Sequence, residues 1–396
     1  MQVSTETPTI QFDRQIEWRN PDPPYAVFRF PYHLRTGGES WQELQARLAQ
    51  LQADRFFLIS ETGLPASLKE LVGEQIGMVQ RPWLPLTFER GEENKNLTTV
   101  NRLIDDAIKA GATRASVIVA LGGGLAGNVS GLLAGTLFRG IRFVHIPTTL
   151  LAASDSVLSL KQGVNSTFGK NHVGLYAAPA FVWANLDFLQ TLPKDETRAA
   201  LCELIKNILA LCPEYLDEVF DALRVNAQYT SEQVARFVEI CLEAKCSVMA
   251  EDALEKHRAI LLEYGHTLGH AFELAVPGLL THGLAVGLGM IVEATIAHLL
   301  GLLSAEDLEV HYRLLRANGA LTSIPAHQGF STERIFTFLE KDNKRGIRPR
   351  EAGEERGGYD MVLLRGLGRP NVTPDGSVLT RVERSVIEAA LAACRY

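Results

Sequence analysis

Two kinds of hydrophobic spacing succeed one another along the chain. Tyr25 to Phe30 (YAVFRF) predicts a strand, and Arg55 to Ser60 (RFFLIS) a buried one that ends at Glu61-Thr62-Gly63. Between them Trp41 to Leu51 has helical spacing. Leu97, Val100, Leu103, Ile104, Ala107 and Ile108 mark a further helix, stopped by Gly111. Ser116 to Leu121 and Ile141 to Ile146 are continuous apolar runs, the first entering Gly122-Gly123-Gly124 and the second halted by Pro147. Apolar strands that alternate with helices predict a mostly parallel sheet covered on both faces. Beyond Leu192-Pro193 the spacing turns helical, through Leu201–Leu211, Ser231–Met249, Leu261–Leu274 and Gly283–Leu303. Asp360 to Leu364 reads as a last strand before a closing helix from Arg381. Residues 1–24 are polar and close on Asn20-Pro21-Asp22-Pro23-Pro24, which predicts a loose N-terminal extension. The expected organisation is an extension (1–24), an α/β domain (25–192) and a mainly helical domain (193–396).

With 396 residues, 46% of them hydrophobic, two domains can each bury a core without disulfides or a structural metal. The net charge of −7, with no strongly basic domain, argues against a nucleic-acid partner. Cys202, Cys212, Cys241, Cys246 and Cys394 show no metal spacing and read as reduced thiols of a cytoplasmic protein. The N-terminus lacks a basic flank followed by an apolar run, so no signal peptide is expected. Gly283 to Leu303 is the most apolar stretch. It holds Glu293 and His298 and is expected as a core helix, not a membrane span.

Three groups of residues carry candidate chemistry. Gly122, Gly124 and Gly127 satisfy G-x-G-x-x-G directly after a strand, where glycine lets a phosphate approach the backbone and a helix start offers free N–H groups. No acid follows about 20 residues later, so a ribose ligand must come from earlier in the chain, with Glu61 and Glu92 as candidates. In EYGHTLGH (263–270), His266 and His270 stand at i, i+4 on one helix face. His282 follows at the next helix start, and Glu203 shares a face with Lys206 on an earlier helix. Two histidines and a carboxylate describe a catalytic divalent-metal site, and spacing leaves His266/His270 and His266/His282 both open as the pair. From Pro147 to His172 a long polar stretch with Asp155, Lys161, Asn165, Lys170 and Asn171 reads as a functional loop suited to a phosphorylated, hydroxyl-rich ligand.

Together these residues resemble the sugar phosphate cyclases of the dehydroquinate synthase superfamily. The resemblance runs from about Gly91 to Gly368, through GE..K (Gly91, Glu92, Lys95), GGGLAGN (122–128), FRGIRFVHIPTTLLA (138–152), GKN (169–171), TLP (191–193), EYGHTLGH (263–270) and THG (281–283). It implies a dehydroquinate synthase-like fold, with an α/β nucleotide-binding domain before a mainly α-helical metal- and substrate-binding domain. It implies NAD contacts at Glu61, Glu92, Lys95, Gly123, Gly124, Gly127, Asn128, Thr148, Thr149, Lys170 and Thr191. The implied ligands of a divalent ion, zinc or cobalt, are Glu203, His266 and His282, with His270 facing substrate. Lys161, Lys206, Lys245, Glu255, Glu263 and His270 are implied in catalysis. Asp155, Asn171, Asn343 and Lys344 are implied in substrate binding, and Arg139 in reaching the phosphate from the second subunit of a homodimer.

Within the superfamily the chain resembles the deoxy-inosose branch, through DSVLSLKQ (155–162), Cys202-Glu203 with Lys206-Asn207, Leu262-Glu263-Tyr264 and DNKRG (342–346). Dehydroquinate synthases carry an arginine and an asparagine for the substrate carboxylate at the positions of Ala259 and Glu263. An acid at 263 would repel a carboxylate substrate, whereas a neutral sugar avoids that repulsion. The resemblance therefore implies conversion of D-glucose 6-phosphate to 2-deoxy-scyllo-inosose and phosphate, with NAD recycled within the turnover, in aminocyclitol biosynthesis. The rivals are a heptulose phosphate cyclase (dehydroquinate synthase or valiolone-type), a metal-dependent polyol dehydrogenase, and a non-catalytic sensor. Asn128 stands where the superfamily has aspartate, as in the deoxy-inosose branch, and Leu284 where it usually has glutamate.

Overall fold

The computed structural model describes residues 9–23, 26–38, 40–342, 347, 358–374 and 376–395. Asn343 and Lys344 lie outside them. Contacts divide the chain into two compact units. One holds Val27–Leu192 with the described residues up to Glu17, and the other holds the chain from Pro193 with Trp18–Ala26.

In the first unit the chain order is β1 (Gln11–Asn20), β2 (Ala26–Arg35), α1 (Ser40–Gln50), β3 (Phe56–Glu61), α2 (Ala66–Gly77), β4 (Trp83–Phe88), α3 (Leu97–Lys109) and β5 (Val117–Gly122). Then come α4 (Gly124–Thr136), β6 (Arg142–Pro147), α5 (Leu150–Ser154), β7 (Lys161–Ser166), β8 (Gly169–Tyr176), β9 (Phe181–Asn185) and α6 (Leu186–Leu189). Seven of the described strands form one sheet in the order β1-β2-β9-β6-β5-β3-β4. The pairs β2/β9, β9/β6, β6/β5, β5/β3 and β3/β4 are all parallel. The apolar run of β3 shows why both faces are covered. Phe57 and Ile59 join a core with residues of α3 and α4, while Phe56 and Leu58 join a second with residues of α1 and α2. Pro85 is tolerated because β4 is an edge strand.

Two expectations are corrected here. Residues 11–20 are not part of a loose extension but a strand of the sheet. Their even positions turn inward, with Ile16, Trp18 and Asn20 buried, and this alternation was masked by the charged residues between them. The polar stretch after Pro147 is not a loop either. It forms α5, a short 3-10 turn and an antiparallel hairpin of β7 and β8. One face of the hairpin packs: Gln162 and Val164 are buried, and Gly131 and Gly135 of α4 leave the room that Gln162 and Leu175 fill. Apart from Val173, Leu175 and Tyr176 its other residues are polar or glycine, so a hydrophobicity reading misses both strands.

The second unit contains α7 (Lys194–Ala210), α8 (Leu216–Ala222), α9 (Ser231–Met249), α10 (His266–Ala275), α11 (His282–Leu299), α12 (Ala305–Ala317), α13 (Thr332–Leu339) and α14 (Arg384–Ala393). The closing helix thus starts later than Arg381, because residues 379–383 are a strand. β10 (Gly358–Val362) pairs antiparallel with β13 (Leu379–Glu383), and β11 (Leu364–Gly366) with β12 (Arg369–Pro370). Helix α11 is long and apolar enough to cross a membrane, but it is mostly buried inside this unit.

Each unit buries a neutral histidine. Burial pushes His145 of β6 and His311 of α12 down to about 4. His311 Nε2 accepts from the Tyr264 hydroxyl at 2.8 Å, and its Nδ1–H donates to Asp307 O at 2.8 Å. The unfolded chain binds these protons near pH 6.5 while the folded chain resists until about pH 4, so stability falls as pH drops across that window. Each site is expected to cost up to about 3 kcal/mol. Denaturant unfolding of His145→Gln and His311→Gln between pH 7 and 4 checks this, since each variant should show a flatter decline than the parent.

Candidate functional site

Each unit presents one cluster of functional side chains. In the first, β5 ends at Gly122 with φ +151 and α4 begins at Gly124 with no side chain capping it. The start of α4 therefore offers free N–H groups to an anion. Side chains would be tight here, because a Cβ at Gly123 would come within 3.2 Å of Thr149, at Gly124 within 3.1 Å of Ser156, and at Gly127 within 3.2 Å of His145. Strand β3 connects toward the β4 edge while β5 connects toward β6, so the winding reverses between β3 and β5. That switch point is where open α/β sheets bind nucleotides. Glu61 ends β3 beside the glycine turn, since Ile59 pairs with Ala120. An acid thus stands at the strand end next to the glycine turn, although none follows the motif in sequence.

Around this turn Asn128 donates to Gly124 O at 2.9 Å and accepts from Gly163 N at 3.1 Å, tying α4 to the hairpin. Lys95 is buried and donates to Asn171 Oδ1 at 2.7 Å. Asn171 has φ +55, a strained backbone at a candidate substrate residue. Lys170 lies 3.6 Å from Glu92. Thr148 N donates to Gly122 O, Thr149 caps α5, and the Thr191 hydroxyl donates to Phe188 O at 2.9 Å. Asp155 is half-buried at the end of α5 and Lys161 is exposed at the start of β7. Arg139 is exposed and held at φ +69 after Phe138 at φ +54.

In the second unit Glu203 of α7 is buried. Its Oε1 lies 3.5 Å from His266 Nε2 and 3.6 Å from His282 Nε2. Ligand atoms of His266, His270 and His282 all lie within 4.8 Å of one another. Oε1 accepts no hydrogen bond among the described residues, although it is fully buried. Two ligands of a tetrahedral ion with bonds of about 2.1 Å stand about 3.4 Å apart, so these three donors fit a zinc-type ion. Of the two pairs that spacing alone left open, His266/His282 is the one seen within 4 Å of this carboxylate. The outer nitrogens fix the tautomers. His266 Nδ1–H donates to Tyr264 O at 3.2 Å and His282 Nδ1–H to Glu273 at 3.2 Å, leaving each Nε2 as a donor for metal. The sequence reading missed Glu273, although it sits three residues after His270 on the same helix face.

Lys206 Nζ lies 2.7 Å from Glu203 Oε2, and both Lys206 and Lys245 are buried ammonium groups. Glu255 has φ +53. Its loop is held by buried Asp252, which accepts from the N–H groups of Lys256, His257 and Ala259 at 2.8–2.9 Å. Glu263 closes a 3-10 turn three residues before His266. A second cluster, Asp13, His33 and Glu43, also gathers ligand-type atoms, but Arg35 already spans both carboxylates at 2.6–2.9 Å, which leaves no call for a cation.

The three ligand-bearing helices meet through glycine. A Cβ at Gly283 would lie 2.0 Å from Ala199 O, and one at Gly289 2.0 Å from Gly265 O. Gly265, at φ +78, and Gly269 also abut the backbone or side chains of α11.

Family models described as 3-dehydroquinate synthase N-terminal and C-terminal match residues 85–199 and 200–345. A 2-deoxy-scyllo-inosose synthase of Niallia circulans is 41% identical over 91% of this chain and 96% of its own length. The chain belongs to the dehydroquinate synthase superfamily of sugar phosphate cyclases. Within it the chain is similar to the 2-deoxy-scyllo-inosose synthases. A crystal structure of 2-deoxy-scyllo-inosose synthase with carbaglucose-6-phosphate, NAD+ and Co2+ superposes with a TM-score of 0.86 at 39% identity, covering 96% of this chain and 100% of that one. A 2-epi-5-epi-valiolone synthase from Streptomyces hygroscopicus with NAD+ and Zn2+ shares the fold, with a TM-score of 0.76 at 23% identity over 92% of this chain and 96% of that one.

Two substitutions test the metal centre. Glu203→Gln removes the shared carboxylate while keeping its shape. It is expected to weaken cobalt binding at least 100-fold with the fold intact, as read by chelator competition and circular dichroism. Gly289→Ala must push α10 from α11 and is expected to cost about 3 kcal/mol in denaturant unfolding.

Proposed function

We propose that this chain closes D-glucose 6-phosphate into the carbocycle 2-deoxy-scyllo-inosose and releases phosphate. The sequence of events is transient oxidation, phosphate elimination, reduction and intramolecular aldol closure. The observation that carries the choice of sugar is the pairing of Ala259 with Glu263. Ala259 is fully buried, so its methyl group offers nothing to a substrate carboxylate, and Glu263 adds a negative charge three residues before His266. A neutral hydroxyl-rich sugar meets an acceptor there, whereas an acid sugar meets repulsion.

The cofactors are NAD and a divalent metal. When bound, NAD+ supplies a reversible hydride acceptor and the ion a Lewis acid for the carbonyl that forms. In this reading the N–H groups at the start of α4 receive the dinucleotide's phosphates, with Gly123, Gly124 and Gly127 keeping the approach open. Glu61 accepts from ribose hydroxyls, and Glu92, Lys95, Asn128, Thr148, Thr149, Lys170 and Thr191 complete the binding set. Glu203, His266 and His282 hold the metal.

For the sugar, Lys206 and Lys245 donate hydrogen bonds from desolvated ammonium groups, where each bond is stronger than in water. Lys161 donates likewise, and Asp155 and Asn171 select hydroxyls. Glu263 accepts from a sugar hydroxyl. His270 and Glu255 carry the protons that leave and return at carbon. Asn343 and Lys344 contact the phosphate end. Arg139, exposed on a left-handed turn, is assigned to the phosphate bound by a second copy, which makes the enzyme a homodimer. The five cysteines are free thiols, and we place the protein in the reducing cytoplasm, serving aminocyclitol biosynthesis.

The test is phosphate release from metal-loaded protein with NAD+, with absorbance followed at the NADH band. Glucose 6-phosphate should yield phosphate without accumulating NADH, and chelation should abolish the release. Phosphate from a heptulose phosphate alone would sink the sugar assignment and show that Glu263 was misread. Stoichiometric NADH without phosphate would indicate a dehydrogenase.

A further inference from the structure

Helix α10 begins without a cap of its own. Its N-cap is Gly265, which has no side chain to offer and lies at φ +78. The first-turn N–H groups are met from another helix instead. Gly265 N donates to Glu293 Oε2 at 2.7 Å and Leu268 N to Glu293 Oε1 at 3.2 Å. Glu293 belongs to α11 and is fully buried. Burying a carboxylate in an otherwise apolar helix is costly. The positive end of α10 and two charge-assisted bonds offset that cost.

The same helix that carries Glu293 carries His282 at its start, and the turn it holds carries His266. We propose that Glu293 is a positioning residue for the metal centre. Its carboxylate locks the first turn of α10 onto α11, so that His266 and His282 keep the spacing that lets both face Glu203. This rests on the assignment of Glu203, His266 and His282 as metal ligands. Gly289 brings the two helices close, and Glu293 sets their register.

The test is a cobalt titration of the metal-free full-length chain and of Glu293→Gln, read by the visible cobalt spectrum and by chelator competition. Glutamine keeps the size of the side chain but turns an N–H2 toward an N–H donor, so one of the two bonds is lost. The folded variant is expected to bind cobalt about 10–100-fold more weakly, with a shifted cobalt band, and to recover activity in excess metal with an unchanged KM for the sugar. A variant that unfolds at lower temperature but binds cobalt like the parent, with the same spectrum, would make Glu293 merely structural and overturn the proposal. Failure of the parent itself to bind one cobalt per chain is a different result, and it would remove the ligand assignment together with this inference. Should Glu293→Gln not fold, hydrogen exchange on the unaltered metal-free chain decides. The amides of Gly265 and Leu268 are expected to exchange as slowly as those inside α11, and exchange as fast as in exposed loops overturns the proposal.

Discussion

The helices that bear the proposed metal ligands touch backbone to backbone. Glu203, His266 and His282 come from α7, α10 and α11, and their side chains are short enough to share one ion only if those helices approach closely. Glycine makes the approach possible. Any side chain at Gly283 would enter the Ala199 carbonyl, and any at Gly289 the Gly265 carbonyl. Tight helix contact removes side-chain volume from a core that must be densely packed, and the lost apolar burial is regained by the long buried face of α11. The apolarity that makes this helix resemble a membrane span is thus a consequence of holding a polar site at its tip.

That polar site is an electrostatic liability without its ion. Glu203 and Lys206 are both buried, and the bond between them uses one carboxylate oxygen while the other faces two imidazoles. Desolvating two charges costs several kcal/mol per ion, which one pair in one geometry repays poorly. Burial together with the neighbouring Glu203 charge pushes the Cys202 thiol up to about 12, so it stays protonated and inert beside the site. In the proposed reading a divalent cation among the three donors would take up the lone pairs that Glu203 Oε1 and the two Nε2 atoms present. The outer bonds from Tyr264 O and Glu273 keep both imidazoles turned for it.

The legible parts of the sequence were those where packing and periodicity agree. Strands β3, β5 and β6 are apolar on both faces, because helices cover both, and they stand out as continuous runs. Strand β1 and the hairpin of β7 and β8 pack on one face only, and charges or amides on the other hid their alternation. The superfamily motifs nominated the candidate metal and nucleotide residues, and the i, i+4 spacing drew attention to His266 and His270. Which imidazoles face Glu203 depends on how α7, α10 and α11 cross, and no local pattern encodes that. Glu293 marked α11 as a core helix without revealing its role, because its partners are N–H groups at the start of a different helix. The start of α10 was illegible for the same reason: its cap is distant in sequence.

The loop that distinguishes this chain from carboxylate-processing relatives is built so that specificity can change without disturbing the frame. Asp252 holds it through the N–H groups of Lys256, His257 and Ala259, and backbone N–H groups are present whatever side chain follows. Position 259 can therefore carry a small buried methyl group here, where dehydroquinate synthases resemble one another in carrying a guanidinium, and the turn survives. Glu263 lies beyond that anchor, at the end of the 3-10 turn that delivers the chain into Gly265 and the metal histidines. In the proposed reading the metal ligands, glycine contacts and nucleotide turn are thereby separate from the charge that chooses the sugar. Relative to the arginine and asparagine that the resemblance places at these two positions in dehydroquinate synthases, the loop here lacks a cation at 259 and gains an anion at 263, and both differences work against an acid substrate.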